Sequence, residues 1–410
     1  MLACVLALAL VLVLATACGG TVLVTACGGA VQRGGASDPS AIVVAPAPAT
    51  AGPGVVSSGE PAGAVDDVAP LEIAIDMQML CVRAAGRVHC SNTPASDVAL
   101  TAPPPLEGID DAISLALGST FGCVATRAGK VFCFGDNTYG QLGAQLRDGR
   151  RDKPVLVNGV SGAKRVFTSD SQACALLVDG SVRCWGRNDG GQTGGSTYYL
   201  PAAHELVEAD LVEGVTGATS VAPGGWTTCA ATRARGVTCW GRALLGDDHM
   251  MHATHNTSPS EVPELGGIES VTASGGAFCG IAGGEVKCWG ELYSLLPGEA
   301  GRSSKLTSAG VTHARKVRLA QTHGCAVLTD GTLSCWGMGS YGALGRGDIT
   351  GYEALGPEPV RDVTSAVDVA VGSSSSCAIT GARDVYCWGS WPHAGGAMRK
   401  ESLPVKMRLE

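Results

Sequence analysis

The sequence predicts an all-β fold: a seven-bladed β-propeller of about four-stranded blades, with one disulfide hairpin in each blade. Three observations carry this. Fourteen of the seventeen cysteines form seven pairs, nine or ten residues apart, recurring about every 50 residues. A repeat of that period signals a solenoid or a propeller. Each pair frames two short β-rich runs around a turn, and no long stretch shows the 3.6-residue apolar period an α-solenoid needs.

Taken in chain order, residues 2–26 are almost uncharged and apolar and read as a secretory signal. The junction Val24-Thr25-Ala26-Cys27 resembles bacterial lipoprotein signals, with Cys27 as the lipidated residue. Cysteine arithmetic agrees, because cleavage there removes Cys4 and Cys18 and leaves only the fourteen paired cysteines and Cys27. No Lys or Arg precedes the apolar stretch, a departure from such signals. Residues 27–65 are rich in Ala, Gly, Pro and Ser, cannot bury a core, and read as a flexible tether. The propeller occupies residues 66–410.

The hairpins pair Cys81 with Cys90, Cys123 with Cys133, Cys174 with Cys184, Cys229 with Cys239, Cys279 with Cys288, Cys325 with Cys335 and Cys377 with Cys387. Opposed cysteines ten apart leave a three-residue loop such as Val178-Asp179-Gly180, whose last Gly takes the left-handed position of a turn-plus-bulge. Opposed cysteines nine apart leave two residues, Ala85-Gly86 or Gly283-Gly284, suited to a primed turn. The fourth and seventh loops, Arg233-Ala234-Arg235 and Gly381-Ala382-Arg383, lack the closing Gly. Opposed residues on antiparallel strands lie within disulfide reach. Zinc sites want closer spacing. Regularly paired cysteines also place the chain outside a reducing cytosol. Ahead of each hairpin comes a strand ending in small residues, such as Ala112 to Gly118, and ahead of that a Pro-initiated strand such as Pro154 to Val157. The first hairpin lacks a Pro-initiated strand close before it. Residues 403–409 are expected to supply that strand and close the ring.

The string of Cys174 to Gly194, Cys-Ala-Leu-x-x-Asp-Gly-x-Val-x-Cys-Trp-Gly-x-Asn-x-x-Gly-Gln-x-Gly, resembles the regulator of chromosome condensation repeat. The resemblance covers roughly residues 66–410 and implies a seven-bladed propeller. It is strongest in the second, third and sixth units; the others lose the Gly-Gln-Leu-Gly segment. Eukaryotic members of the family imply guanine nucleotide exchange on Ran, which needs an intracellular partner. Secreted bacterial members that inhibit β-lactamases by docking a ring of loops are similar in kind.

Net charge is −8, with 37 acidic against 29 basic side chains, which argues against a nucleic-acid partner. No Gly-x-Ser-x-Gly, His-Glu-x-x-His or P-loop occurs, and no cofactor is implied. Propellers do host lyases and glycosidases, so an extracellular enzyme is the alternative. The Trp after the second cysteine (Trp185, Trp240, Trp289, Trp336, Trp388, with Phe134 once) is expected between blades. His249, His252 and His255 could hold a metal, or form an inserted polar loop. The segments just before each first cysteine should gather on one face of the propeller. Phe121, Gln172, Trp226, Phe278 and His323 stand there, and Trp391 breaks the repeat pattern as Trp226 does. These residues either anchor a partner or plug the channel. The expected function is therefore a membrane-anchored binding propeller of the bacterial envelope, recognising a protein or glycan.

Overall fold

A computed structural model describes residues 71–76, 79–91, 99–100, 104–144, 149–195, 208–234, 236–242, 255–299, 301–347, 349, 351–392 and 398–409. The expected signal, tether and Cys27 lie outside these residues, as do His249 and His252.

All seven expected cysteine pairs stand directly opposed in antiparallel hairpins, and all seven are bonded within their own repeat. Cys81 is joined to Cys90, Cys123 to Cys133, Cys174 to Cys184 and Cys229 to Cys239. Cys279 is joined to Cys288, Cys325 to Cys335 and Cys377 to Cys387. Their Cα–Cα distances are 4.0–4.1 Å. The turns follow from the spacing. Ala85 and Gly86 take φ of 48° and 77°, and Gly283 and Gly284 take 55° and 81°, as primed turns require. In the longer loops Gly129, Gly180 and Gly331 occupy the left-handed position. In the seventh hairpin Arg383 is forced into it at φ 67°, a conformation costing a non-Gly residue about 1–2 kcal/mol.

Seven sheets result, and blades two to six are each one uninterrupted stretch of chain running from the innermost strand to the outermost. The innermost strands are Glu72–Ile75, Ala112–Leu117, Ala163–Thr168, Ala218–Pro223, Ser270–Ser274, Ala314–Leu319 and Ala366–Val371. The two strands of the cysteine hairpin follow, and then an outer strand such as Arg151–Leu156 or Ala354–Pro359. Proline is tolerated there because an edge strand leaves N–H groups unpaired anyway.

This order corrects the expected closure. The Pro-bearing strand lies after its hairpin, not before it, and is the outer strand of the preceding repeat. The C-terminal strand Met398–Leu409 accordingly pairs with Val385–Pro392 and completes the seventh blade, not the first. Its tip reaches the chain leaving the first hairpin, where Arg408 and Leu409 pair in parallel with Ala99 and Leu100. The first blade's outer position is marked by a bridge from His89 to Pro105.

The core lies in the seams between blades. Trp185, Trp240, Trp289, Trp336 and Trp388 are at most 1% exposed, and Phe134 fills the same place at 4%. Each sits after its second cysteine on the third strand. Trp185 joins Leu142 of blade two in one cluster, and Trp336 joins Leu292, Leu295 and Leu296 of blade five. The ring closes by the same packing: Ile73, Ile75, Leu80 and Val82 of blade one share a cluster with Ile379, Val385 and Trp391 of blade seven.

Candidate functional site

Strands within a blade alternate in direction, so the loop from first to second strand and the loop from third to outer strand emerge on one face. The tight cysteine turns occupy the other. A backbone bond ties the two loops together in successive blades, from Asp136 N to Thr120 O, Arg187 N to Ser171 O and Arg242 N to Trp226 O. Among the described residues, every large exposed aromatic is on this face: Tyr139, Trp226, Tyr293, Tyr341 and Tyr352.

Three of these blades build a continuous stack. The Arg187 guanidinium lies 4.3 Å from the Trp226 ring centroid and 5.1 Å from that of Tyr139. Arg242 lies 5.1 Å from Trp226 on its own side. Asp189 grips Arg187 through two guanidinium nitrogens and holds it above its ordinary pKa, so its charge is fixed. A Cβ on Gly190 would meet Trp226 Cε3 at 3.2 Å, so glycine lets the indole lie close against the loop of blade three. Trp226 stays 38% exposed. The array Tyr139–Arg187–Trp226–Arg242 is thus a rigid surface of the residue types that dominate interface hot spots. Sequence reasoning found Trp226 and missed the others. Arg187 and Arg242 both follow the Cys-Trp-Gly triplet, a position that varies freely between repeats (Asp136, Glu291, Met338 and Ser390 elsewhere), and that variability was the available signal.

The other expected contact residues are not on this surface. Phe121, Gln172, Phe278 and His323 are at most 1% exposed, and Trp391 is 4% exposed. They do not plug the channel either; they hold blades together. Phe278 stacks on Trp289 of its own blade at 5.7 Å and joins it in the seam cluster with the preceding blade, and Phe121 and Trp391 belong to seam clusters as well. Gln172 Nε2 donates to Thr228 Oγ1 of the next blade at 2.8 Å, and that hydroxyl donates to Gln192 O at 2.8 Å. His323 does the same in blade six, its Nε2 lying 2.8 Å from Ser376 Oγ, which donates to Ala343 O at 3.1 Å. The serine's one proton being so used, Nε2 of His323 carries the ring hydrogen. Burial without a partner for Nδ1 pushes the imidazole pKa down to about 4. For the histidine cluster, His255 begins an outer strand, and no group of metal-ligating side chains occurs among the described residues.

The seven innermost strands line a central channel of roughly 170 Å³. Strand pairing sorts its side chains into tiers. The tier opposite the second residue after the first cysteine holds Glu72, Ser114, Arg165, Ser220, Ser270, Lys316 and Asp368. The next, opposite the cysteine itself, holds Ala74, Ala116, Phe167, Ala222, Thr272, Arg318 and Ala370. The mouth on the loop face is lined by small and polar residues, with Asp76 and Asp170 on blades one and three.

Comparison with known proteins points one way. A family model described as the regulator of chromosome condensation (RCC1) repeat matches residues 128–176 and 330–379, and a second of the same description matches 112–141 and 164–192. The chain is 25% identical over 308 residues to the ultraviolet-B receptor UVR8 of Arabidopsis thaliana, covering 70% of this chain and 67% of that protein. It is 26% identical over 313 residues to the regulator of chromosome condensation of Drosophila melanogaster, covering 70% and 55%. With the human E3 ubiquitin-protein ligase HERC2 it shares 30% identity over 284 residues, 64% of this chain but 6% of that protein. The chain therefore spans only part of most of these relatives. Among solved structures, human WBSCR16 superposes with a TM-score of 0.64 at 19% identity, covering 78% of this chain and 90% of that one. Prp20p of Saccharomyces cerevisiae gives 0.60 at 16% identity, covering 73% and 76%. These two likenesses concern the fold.

Proposed function

Since the chain is a propeller carrying regulator of chromosome condensation repeats, we propose that it is an interaction module, binding a protein partner on the face that carries the loops. The observation that carries this reading is the exposed stack of Tyr139, Arg187, Trp226 and Arg242. Neither Arg187 nor Trp226 belongs to the buried clusters that fill the seams of these blades. Aromatic and arginine side chains held rigid at a surface lose little entropy on binding and give large contact area. The yeast propeller of the same fold has binding properties towards Gsp1p and histones, so this architecture does serve protein recognition. Seven disulfides support a location outside the cytosol, where such bonds persist.

The test is capture of partners by the full chain from envelope and secreted proteins, followed by affinity measurement on the purified pair. Trp226→Ala should weaken binding by about 2 kcal/mol, roughly thirtyfold, with an unchanged thermal midpoint. Unchanged affinity together with a falling midpoint would return Trp226 to a structural role. For location, the protein from its native source should yield bridged peptides such as Cys123–Cys133 on non-reducing digestion; free thiols at these positions would refute it.

A further inference from the structure

The channel's first tier departs from small residues towards both charges, with Glu72 and Asp368 on blades one and seven and Arg165 and Lys316 on blades three and six. In blades one, two and four the first-tier side chain accepts a hydrogen bond from the backbone of the next blade. Glu72 Oε2 takes Leu115 N at 3.0 Å, Ser114 Oγ takes Val166 N at 3.3 Å, and Ser220 Oγ takes Val271 N at 2.9 Å. Blades three and six put Arg165 and Lys316 there instead. Neither side chain can accept a hydrogen bond, so both blades give up the clamp. In the second tier, where four other blades have alanine, blade six places Arg318. Three blades apart in a ring of seven, these cations face each other across the axis.

Not all of this charge is compensated. Lys316 Nζ is 2.7 Å from Asp368, and Glu72 is 2.9 Å from Arg83. Among the described residues Arg165 and Arg318 have no carboxylate within ion-pair distance. Arg318 donates to Val317 O at 3.1 Å, and Arg165 rests 5.3 Å from the Phe167 ring centroid. Water reaches Arg165, yet the channel wall surrounds it; this desolvation, then the nearby Arg318, lowers its pKa, and the carboxylates of Glu72 and Asp368 offset only part of the shift. The channel's carboxylates, Glu72 and Asp368, are already paired with Arg83 and Lys316, so the two guanidiniums leave positive charge there that a bound anion would offset.

We propose that the central channel binds an oxyanion, the phosphate or carboxylate group of a small solute, between Arg165 and Arg318. Each guanidinium offers a planar fork that matches two oxygens of such a group. The channel volume accommodates one small oxyanion with its waters. Phe167 orients Arg165 by stacking. This site is independent of the loop-face partner.

Calorimetric titration of the full chain at low ionic strength tests it, with inorganic phosphate in one arm and acetate in the other. Saturable binding in either arm, with a rising thermal midpoint, is expected, and the stronger arm names the anion class. Arg165→Gln and Arg318→Gln should each weaken binding at least tenfold. Lys164→Gln, at the bulged position of the same strand, should leave it unchanged. If either glutamine variant fails to fold, Arg318→Lys keeps the charge without the fork and should still weaken binding severalfold. Absence of saturable binding in both arms, or the same affinity in all variants, overturns the proposal.

Discussion

His323 shows how a residue that reads as a contact site serves the fold. Blade three does the same job with Gln172, whose amide donates to Thr228 as His323 donates to Ser376. The histidine version is sensitive to acid. Its folded pKa is about 4 against an ordinary 6.5, so the unfolded chain takes up a proton where the folded one does not. Stability is therefore complete above pH 6.5 and is lost as the pH falls towards 4, by about 2 kcal/mol at pH 5. His323→Gln should keep the clamp and remove this loss. The difference in thermal midpoint between pH 7.5 and pH 5 should be smaller in the variant than in the parent. An equal difference would mean that His323 does not govern acid lability. Neither role was legible in the sequence. Gln172 and His323 each open a second strand and meet a hydroxyl 56 and 53 residues away, and only the ring of blades brings the partners together.

At the scale of the element, the hairpins were legible because the cysteine spacing and the turn residues change together. What the sequence concealed is why some repeats keep the Gly-Gln-Leu-Gly segment. Its backbone carbonyl receives the indole N–H of the following blade: Trp185 donates to Gln141 O at 3.0 Å, Trp240 to Gln192 O at 2.9 Å and Trp388 to Ala343 O at 2.8 Å. These three tryptophans follow the second, third and sixth units, which retain the segment or a close variant. Trp289 and Trp336 follow the fourth and fifth units, which have lost it, and their indole N–H groups have no partner among the described residues. Behind Trp336 the segment is replaced by the apolar Leu292, Leu295 and Leu296. Phe134, the one aromatic without an N–H, follows the first unit, where the segment is also missing. Trp336→Phe should therefore be milder than Trp388→Phe, by about 1 kcal/mol, since only the second removes a hydrogen bond and the first relieves an orphaned donor. Chemical denaturation of the two variants reads this directly, and equal losses would show that the indole bond contributes nothing.

At the scale of the molecule, ring closure is where sequence and structure part. Residues 403–409 look like a strand in search of a blade, and the first hairpin looks like a blade in search of a strand. The chain instead uses its last strand to finish blade seven and closes the final seam by side-chain packing, with a two-residue parallel pairing to Ala99 and Leu100 at the strand's tip. That seam is built differently from the other six. Blade one has Ser91 where blades two to seven have Phe or Trp, so no aromatic enters from its third strand. Asp368, which stands where other blades clamp their neighbour, binds Lys316 and Val369 N instead. Trp391 supplies the missing aromatic from the blade-seven side and joins Ile73, Ile75, Leu80 and Val82 in one cluster. Its departure from the repeat pattern marks the site of closure. Trp391→Ala should then cost about 3–5 kcal/mol, as truncation of a large buried aromatic does. The loss should be local, because blades contact mainly their neighbours and a seam can open before the whole ring unfolds. Hydrogen exchange by mass spectrometry should show faster exchange in residues 72–91 and 366–391 of the variant, with residues 163–186 of blade three still protected. Equal deprotection of blade three would mean that the propeller opens as one cooperative unit and that its last seam is no weaker than the rest.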